Sequence, residues 1–184
     1  MEQPTLFTIA VFTENHIGLL NQLSIILTRR AINIESITAS RCLIPEVHKI
    51  TLTCYSDPVT IEKVVKQIEK KIDVLKAFFY TDDQIVYQEV ALYKVPTSRL
   101  LDEQNLEEII RRHSARILEI TRDYTVVEKT GHIDETEALF EELKRYDLRQ
   151  FVRSGRVAIT KSPIEYVDRF LAEQEQRRQN LDRQ

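Results

Sequence analysis

The order in which short apolar segments switch between strand and helix periodicity constrains this chain more than any motif does. Leu6–Phe12 (LFTIAVF) is short, rich in β-branched and aromatic residues, and predicts a buried strand. A polar loop, Thr13-Glu14-Asn15-His16-Ile17-Gly18, follows. Leu19, Leu20, Leu23, Ile26, Leu27 and Ala31 then recur at helical spacing, which predicts a helix from about Gly18 to Arg30, with Arg29 and Arg30 at its negative end. Asn33–Ser40 and Lys49–Tyr55 predict two strands joined by a hairpin at Leu43-Ile44-Pro45-Glu46. In the second of these, Ile50, Leu52 and Cys54 alternate with Thr51, Thr53 and Tyr55, as one covered and one wetter face require. Asp57 is a good N-cap, Pro58 suits the first helical position, and Ile61, Val64, Val65, Ile68 and Ile72 form one apolar stripe. Val74–Tyr80 (VLKAFFY) closes the set as a strand.

The order β-α-β-β-α-β is that of the ferredoxin-like split βαβ unit, an antiparallel sheet with right-handed crossovers and both helices on one face. After the polar break Thr81-Asp82-Asp83-Gln84 the order recurs. Gln88–Val95 predicts a strand, and Leu106, Ile109 and Ile110 mark a helix. Arg116–Thr121 and Tyr124–Lys129 form a hairpin across Arg122-Asp123. Ile133, Leu139, Phe140 and Leu143 mark another helix, and Leu148–Thr160 holds the last strand material, interrupted at Ser154-Gly155. The expectation is an α+β chain of two tandem ferredoxin-like βαββαβ domains, 5–82 and 86–161. Residues 162–184 then form a C-terminal helix, capped by Ser162-Pro163 and carrying Ile164, Val167, Phe170 and Leu171, followed by a solvated polar tail.

Composition removes most function classes. The chain has 184 residues with 26 Lys and Arg against 29 Asp and Glu, a net charge of −3, which is the wrong sign for a nucleic-acid or anionic-membrane partner. No run of uncharged apolar residues is long enough to span a bilayer and the start, Met1-Glu2-Gln3-Pro4, lacks a basic leader, so the expected compartment is the reducing cytoplasm. The 3 glycines, Gly18, Gly131 and Gly155, cannot be written into a phosphate-cradling loop. His16, His48, His113 and His132 share no metal-ligand spacing and read as exposed residues on loops and helix ends. Cys42 and Cys54 are too few for a disulfide framework and read as small core residues. The acid pairs Glu107-Glu108 and Glu141-Glu142 sit among basic residues on polar helix faces and read as solvated surface, not as a general acid and base. An RNA-recognition sheet needs aromatics and Lys/Arg-Gly on its central strands, and Lys49–Tyr55 offers one aromatic and no glycine.

The loop Glu14–Leu20 has the chemistry of a ligand site. A helix N-terminus presents free N–H groups and positive potential, which suits a carboxylate. Gly18 allows close approach to the backbone, Asn15 offers both donors and an acceptor, and Ile17, Leu19 and Leu20 are available to line an aliphatic pocket. Asn-x-x-Gly before a helix also serves simply as a turn and cap, and the residues alone leave both readings open.

Four segments, in order, resemble one family. Glu14-Asn15-His16-Ile17-Gly18-Leu19-Leu20 is similar to an ENxxGxL loop, and Arg30-Ala31-Ile32-Asn33-Ile34-Glu35-Ser36 to an R-G-[YF]-N-I-[ED]-S segment. Glu89–Val95 (EVALYKV) and Arg153–Ala158 (RSGRVA) resemble the family's later REIMLVKV and RTGxxA segments. The chain thus resembles the small, regulatory subunits of acetolactate synthase over about residues 5–161. The resemblance implies an ACT domain followed by a second ferredoxin-like domain, with no catalytic residues and no cofactor in this chain. It implies a thiamine-diphosphate-dependent catalytic subunit as partner, which would carry thiamine diphosphate, Mg and FAD. It further implies a homodimer through side-by-side ACT domains and a branched-chain amino acid effector, typically valine, at their interface. The effector residues carried over are Asn15, His16, Ile17, Gly18, Leu19 and Leu20 on the loop, with Asn33 and Ile34 at the second strand's start contributed by the partner protomer. Two departures stand out: Ala31 occupies the family's glycine position after the first helix, and Lys161-Ser162-Pro163 leads into an additional helix. The alternative is a stand-alone tandem ACT amino-acid sensor acting on another protein, which co-purification of a catalytic subunit would distinguish. An acylphosphatase-like enzyme needs an Arg in the loop at 13–18, and none is there.

Overall fold

The structure is a computed structural model that describes residues 4–102 and 104–163, with 167, 169, 170 and 172. It has two compact units, one comprising Met1–Val86 and Ala158–Gln184 and the other Tyr87–Val157.

In the first unit the elements run β1 (Thr5–Glu14), α1 (Leu19–Thr28), β2 (Ser36–Arg41), β3 (Val47–Ser56), α2 (Pro58–Ile68) and β4 (Val74–Tyr80). The sheet order is β2-β3-β1-β4, every neighbouring pair is antiparallel, and β2 and β4 are the edges. Alternation explains which face is covered. Phe7, Ile9 and Val11 of β1 and Ile50, Leu52 and Cys54 of β3 pack with Leu19, Leu23, Ile26 and Leu27 of α1 and Ile61, Val64, Val65 and Ile68 of α2. Both helices therefore lie on one face, as the segment order predicts. Asp57 caps α2 by accepting from the Thr60 N–H at 2.8 Å, with Pro58 in the first turn. On the opposite face Thr8, Ala10 and Phe12 line a small cavity with Ala158, Ile159, Thr160 and Val167, and the Lys49 ammonium donates to the Ala158 carbonyl.

Two local outcomes differ from the periodicity reading. Ala31 adopts φ 53°, the left-handed conformation that a glycine would adopt at lower cost, so the turn is made despite the alanine. Strand β2 begins at Ser36, so Asn33 and Ile34 precede the strand instead of starting it; pairing with β3, which begins with Ser36 opposite Thr53, sets that end and not β propensity. Cys54 is a core residue, whereas Cys42 sits half-buried in the β2–β3 hairpin, where its thiol faces the carbonyls of Ile44 and Val47.

β5 (Ile85–Pro96) begins in the first unit and runs on into the second, which holds α3 (Thr97–Asp102), α4 (Gln104–Arg112), β6 (Arg116–Ile120), β7 (Tyr124–Gly131), α5 (Ile133–Leu143) and β8 (Gln150–Arg153); β9 (Val157–Thr160) belongs, from Ala158 on, to the first unit. The second sheet's order β6-β7-β5-β8, with β9 also paired to β5, repeats the order of the first sheet strand for strand. The helical residues Thr97–Asp102 and Gln104–Arg112 include the Leu106, Ile109 and Ile110 stripe that periodicity marks and begin well before it. The Arg153–Arg156 segment is a fastening: the Ser154 N–H donates to Val90 O at 2.9 Å, the Val90 N–H donates to Ser154 Oγ at 3.0 Å, and Gly155 takes φ 76°. Arg156 is then buried, its guanidinium 3.9 Å from the Tyr87 ring centroid and 3.8 Å from a Glu89 carboxylate oxygen. Glu142 is tied to Arg112 and, at 3.0 Å, to His113, so it joins α5 to α4 and is more than solvated surface. After Pro163, Val167, Arg169, Phe170 and Ala172 are helical, while Ile164, Leu171 and the tail from Glu173 lie outside the described residues.

Candidate functional site

The loop between β1 and α1 is built around a backbone conformation that suits glycine. Gly18 adopts φ 89° and ψ −3° at the N-cap of α1. It provides no side chain to cap the helix, and the first turn of α1 holds no acidic residue. The first bond of the helix is Gln22 N–H to Gly18 O at 3.1 Å, so the N–H groups of Leu19, Leu20 and Asn21 have no partner within the helix. A Cβ built on Gly18 would meet no atom within 4 Å. Open space thus lies directly before a helix end that attracts negative charge.

The other loop residues divide by role. Asn15 is exposed and does not act as a cap, and its amide has no partner among the described residues. Ile17 is fully exposed and Leu20 about half exposed, whereas Leu19 is buried in the core with Leu23 and Ile26. Leu19 therefore anchors α1, leaving Ile17 and Leu20 as the loop's available apolar groups. His16 fastens the loop: its Nδ1 lies 2.7 Å from Asp73 Oδ1, and its Nε2 lies 3.7 Å from Glu14 Oε2. The hydrogen bond to Asp73, then the charges of Asp73 and Glu14, hold the imidazole above its ordinary pKa of 6.5. Asp73 escapes local sequence reading because it lies 57 residues away, in the turn before β4.

Asn33 and Ile34 lie at the other end of the sheet. Thr53 faces both Ser36 and Thr8, so the start of β2 is level with Thr8, while the loop leaves β1 at Glu14. The intervening 14 − 8 = 6 residues span ~20 Å of strand. One chain therefore does not bring the two groups together. Asn33 is exposed and donates to Glu35 Oε1 at 3.2 Å, and Ile34 packs against the core edge.

The end of the sheet nearest the loop does form a cleft. The row after Val11–Ile50–Ala39 across β1, β3 and β2 is Thr13–His48–Arg41, on the same face as the helices. Asn15, Arg41, Cys42, Ile44, Glu46 and His48 line a cleft of about 230 Å³ there. Thr13 Oγ1, fully buried in that row, has no hydrogen-bond partner among the described residues. Among the described residues no group of three or more His, Cys, Asp or Glu is placed to hold a metal, and no helix is long and apolar enough to cross a membrane.

Comparison with known proteins agrees with this architecture. A family model for the small subunit of acetolactate synthase matches residues 88–162, and one for the ACT domain of acetohydroxyacid synthase small subunits matches residues 9–76. The acetolactate synthase small subunit of Bacillus subtilis is 35 % identical over 151 residues, covering 80 % of this chain and 86 % of that protein. A probable acetolactate synthase small subunit of Archaeoglobus fulgidus is 31 % identical over 156 residues, covering 84 % of this chain and 96 % of that protein. The crystal structure of the Thermotoga maritima acetolactate synthase small subunit superimposes with a TM-score of 0.77, covering 86 % of this chain and 99 % of that one; at 24 % identity it speaks to the fold. With two ferredoxin-like units in tandem and relatives matched over most of their length, the chain belongs to the acetolactate synthase small-subunit family of branched-chain amino acid biosynthesis, and its first unit carries that family's ACT domain.

Proposed function

We propose that this chain activates the thiamine-diphosphate-dependent catalytic subunit of acetolactate synthase in the cytoplasm and makes it sensitive to feedback inhibition by a branched-chain amino acid, valine first. The chain works without catalytic residues or a cofactor of its own; thiamine diphosphate, Mg and FAD belong to the catalytic partner. The observation that carries the effector reading is the uncapped N-terminus of α1, with free space in front of Gly18, on an ACT domain. That arrangement suits a free carboxylate.

The site is completed by a second copy. Strand β2 is an edge of its sheet, and its Ile37 is 43 % exposed. Two β2 strands paired antiparallel about a two-fold axis turn the start of one toward the end of the other. This supports placing Asn33 and Ile34 of one protomer beside the loop and hairpin of its partner, across the ~20 Å that separates the two groups within a chain. An effector bound there changes how the two sheets pair, and the catalytic subunit feels that change through its contacts with the dimer. Light scattering on the purified chain and calorimetric titration with valine, leucine and isoleucine test this reading. The expected result is a dimer that binds valine most tightly; a monomer, or no heat with any of the three, contradicts it.

A further inference from the structure

Three loop tips at one end of the first unit carry aliphatic side chains that the fold itself does not use. Ile17 in the β1–α1 loop, Leu43 in the β2–β3 hairpin and Ile72 in the α2–β4 turn are each at least 97 % exposed, whereas no other large apolar side chain among the described residues exceeds the 64 % of Ile159. The three tips leave the same end of the sheet, because Glu14 faces Val47 on β3 and Thr13 faces Val74 on β4. They are fastened to one another there. The His16 imidazole lies 2.7 Å from Asp73 Oδ1 and the Glu14 N–H donates to Asp73 O at 3.0 Å, which holds the loop carrying Ile17 beside the turn carrying Ile72. The Cys42 N–H donates to Val47 O at 3.2 Å and closes the hairpin next to Asn15, with which Cys42 shares a cleft. A side chain so exposed buries nothing within the chain, and turns ordinarily carry glycine, proline, asparagine or aspartate. Single exposed aliphatics are common on soluble proteins; three on adjoining tips, rimmed by exposed Arg41, Glu46 and Lys70, mark a contact surface.

We propose that Ile17, Leu43 and Ile72 form the surface on which the catalytic subunit of acetolactate synthase docks, set into an apolar surface of that partner. The proposal rests on the reading that this chain activates that subunit, and it names the residues that hold the two together. A second copy of this chain is not the occupant. Antiparallel pairing through β2 turns the loop ends of two protomers in opposite directions, so a dimer presents the patch twice and does not bring the two together. The tips are also turns, which lack the ladder of backbone groups that strand pairing uses. The patch is continuous with the effector loop, since Ile17 precedes Gly18 and His16 ties the same loop to the residue after Ile72. A ligand seated before Gly18 thereby moves a residue of the docking surface, and the partner's fit to that surface depends on the ligand.

The test is acetolactate formation by the catalytic subunit, measured against the concentration of full-length chain, for the wild type, Leu43→Ser, Ile72→Ser, the double variant and Val59→Ser. Each replaced side chain is exposed, so the fold is kept, checked by circular dichroism. Val59, 60 % exposed in the first turn of α2 at the other end of the sheet, is the control. Each tip variant is expected to raise the concentration for half-maximal activation about tenfold, and the double variant more, with the maximal rate unchanged and Val59→Ser like the wild type. Activation at wild-type concentrations by both tip variants overturns the docking surface and leaves the activating role standing. A tip variant that shifts a dimer to monomer in light scattering gives the patch to a second copy and likewise overturns the proposal. A wild-type chain that leaves the catalytic rate unchanged overturns the activating role and the docking surface with it.

Discussion

Replacing Gly18 separates what the loop does for the fold from what it does for a ligand. At φ 89° an L side chain is strained, at a cost of about 1–2 kcal/mol. Alanine also restricts the unfolded chain, which returns about 0.4–1 kcal/mol. No steric penalty is added, because a Cβ at Gly18 meets nothing within 4 Å. Gly18→Ala should therefore destabilise the first unit by about 1 kcal/mol, a fall in Tm of ~2–4 °C for a protein of this size. Binding should suffer more, since the added methyl group occupies the space before the free N–H groups of α1. Losing a hydrogen bond to a charged group costs ~1.5–3 kcal/mol, or roughly ten- to hundredfold in affinity. Gly18→Asp should be harsher still, as its carboxylate sits at the helix N-terminus where the ligand's would. Thermal unfolding and valine titration of the same preparations read the two effects. A stability loss above ~3 kcal/mol would mean that the space is not free, and an unchanged valine affinity in folded Gly18→Asp would remove the loop from the effector site.

Other expectations follow from single local features. Ala31→Gly, at φ 53°, should relieve strain and raise stability by about 0.5–1 kcal/mol; a lower urea midpoint than wild type would show that the turn is not strained. The pKa of His16 is raised by Asp73, so the stabilisation of the loop is complete below pH 6.5 and is lost as pH rises through the folded-state pKa. An NMR titration should therefore place His16 above its ordinary value and return it toward that value in Asp73→Asn; an imidazole titrating below 6.5 in the wild type would refute the tether. Thr13→Val replaces a buried hydroxyl that has no partner with a group of similar shape, and should raise stability by about 1 kcal/mol in chemical denaturation, against a loss if the hydroxyl makes a bond in solution.

Much of the fold was legible because strand and helix periods differ so clearly. The alternation Ile50, Leu52, Cys54 and the stripe Ile61, Val64, Val65, Ile68 each define one covered face, and those faces meet in the core. The Asp57-Pro58 start of α2 is local chemistry and was equally readable. Features that depend on pairing were not. The start of β2 at Ser36, not Asn33, follows from its register with β3, and helical residues begin directly after β5 at Thr97, well before the Leu106 that periodicity marks. The apolar pattern also does not separate Leu19, whose side chain turns into the core, from Ile17 and Leu20, which do not. At the site, Asn15 and Gly18 stand out in the sequence because a turn before a helix has a recognisable composition. Arg41 and His48 do not, because they come together only through a cross-strand row. His16 meets Asp73 only once α2 has returned the chain to β4.

Reconstitution with the catalytic subunit of acetolactate synthase tests the central claim most directly. Acetolactate formation would be measured for the catalytic subunit alone and with this chain, across a valine titration, with and without the Asn33→Ala variant. The expected result is higher activity with the chain, inhibition by valine only in its presence, and an inhibition curve shifted about ten- to hundredfold to higher valine by Asn33→Ala. A catalytic subunit whose rate and valine response are the same with and without the chain would contradict it.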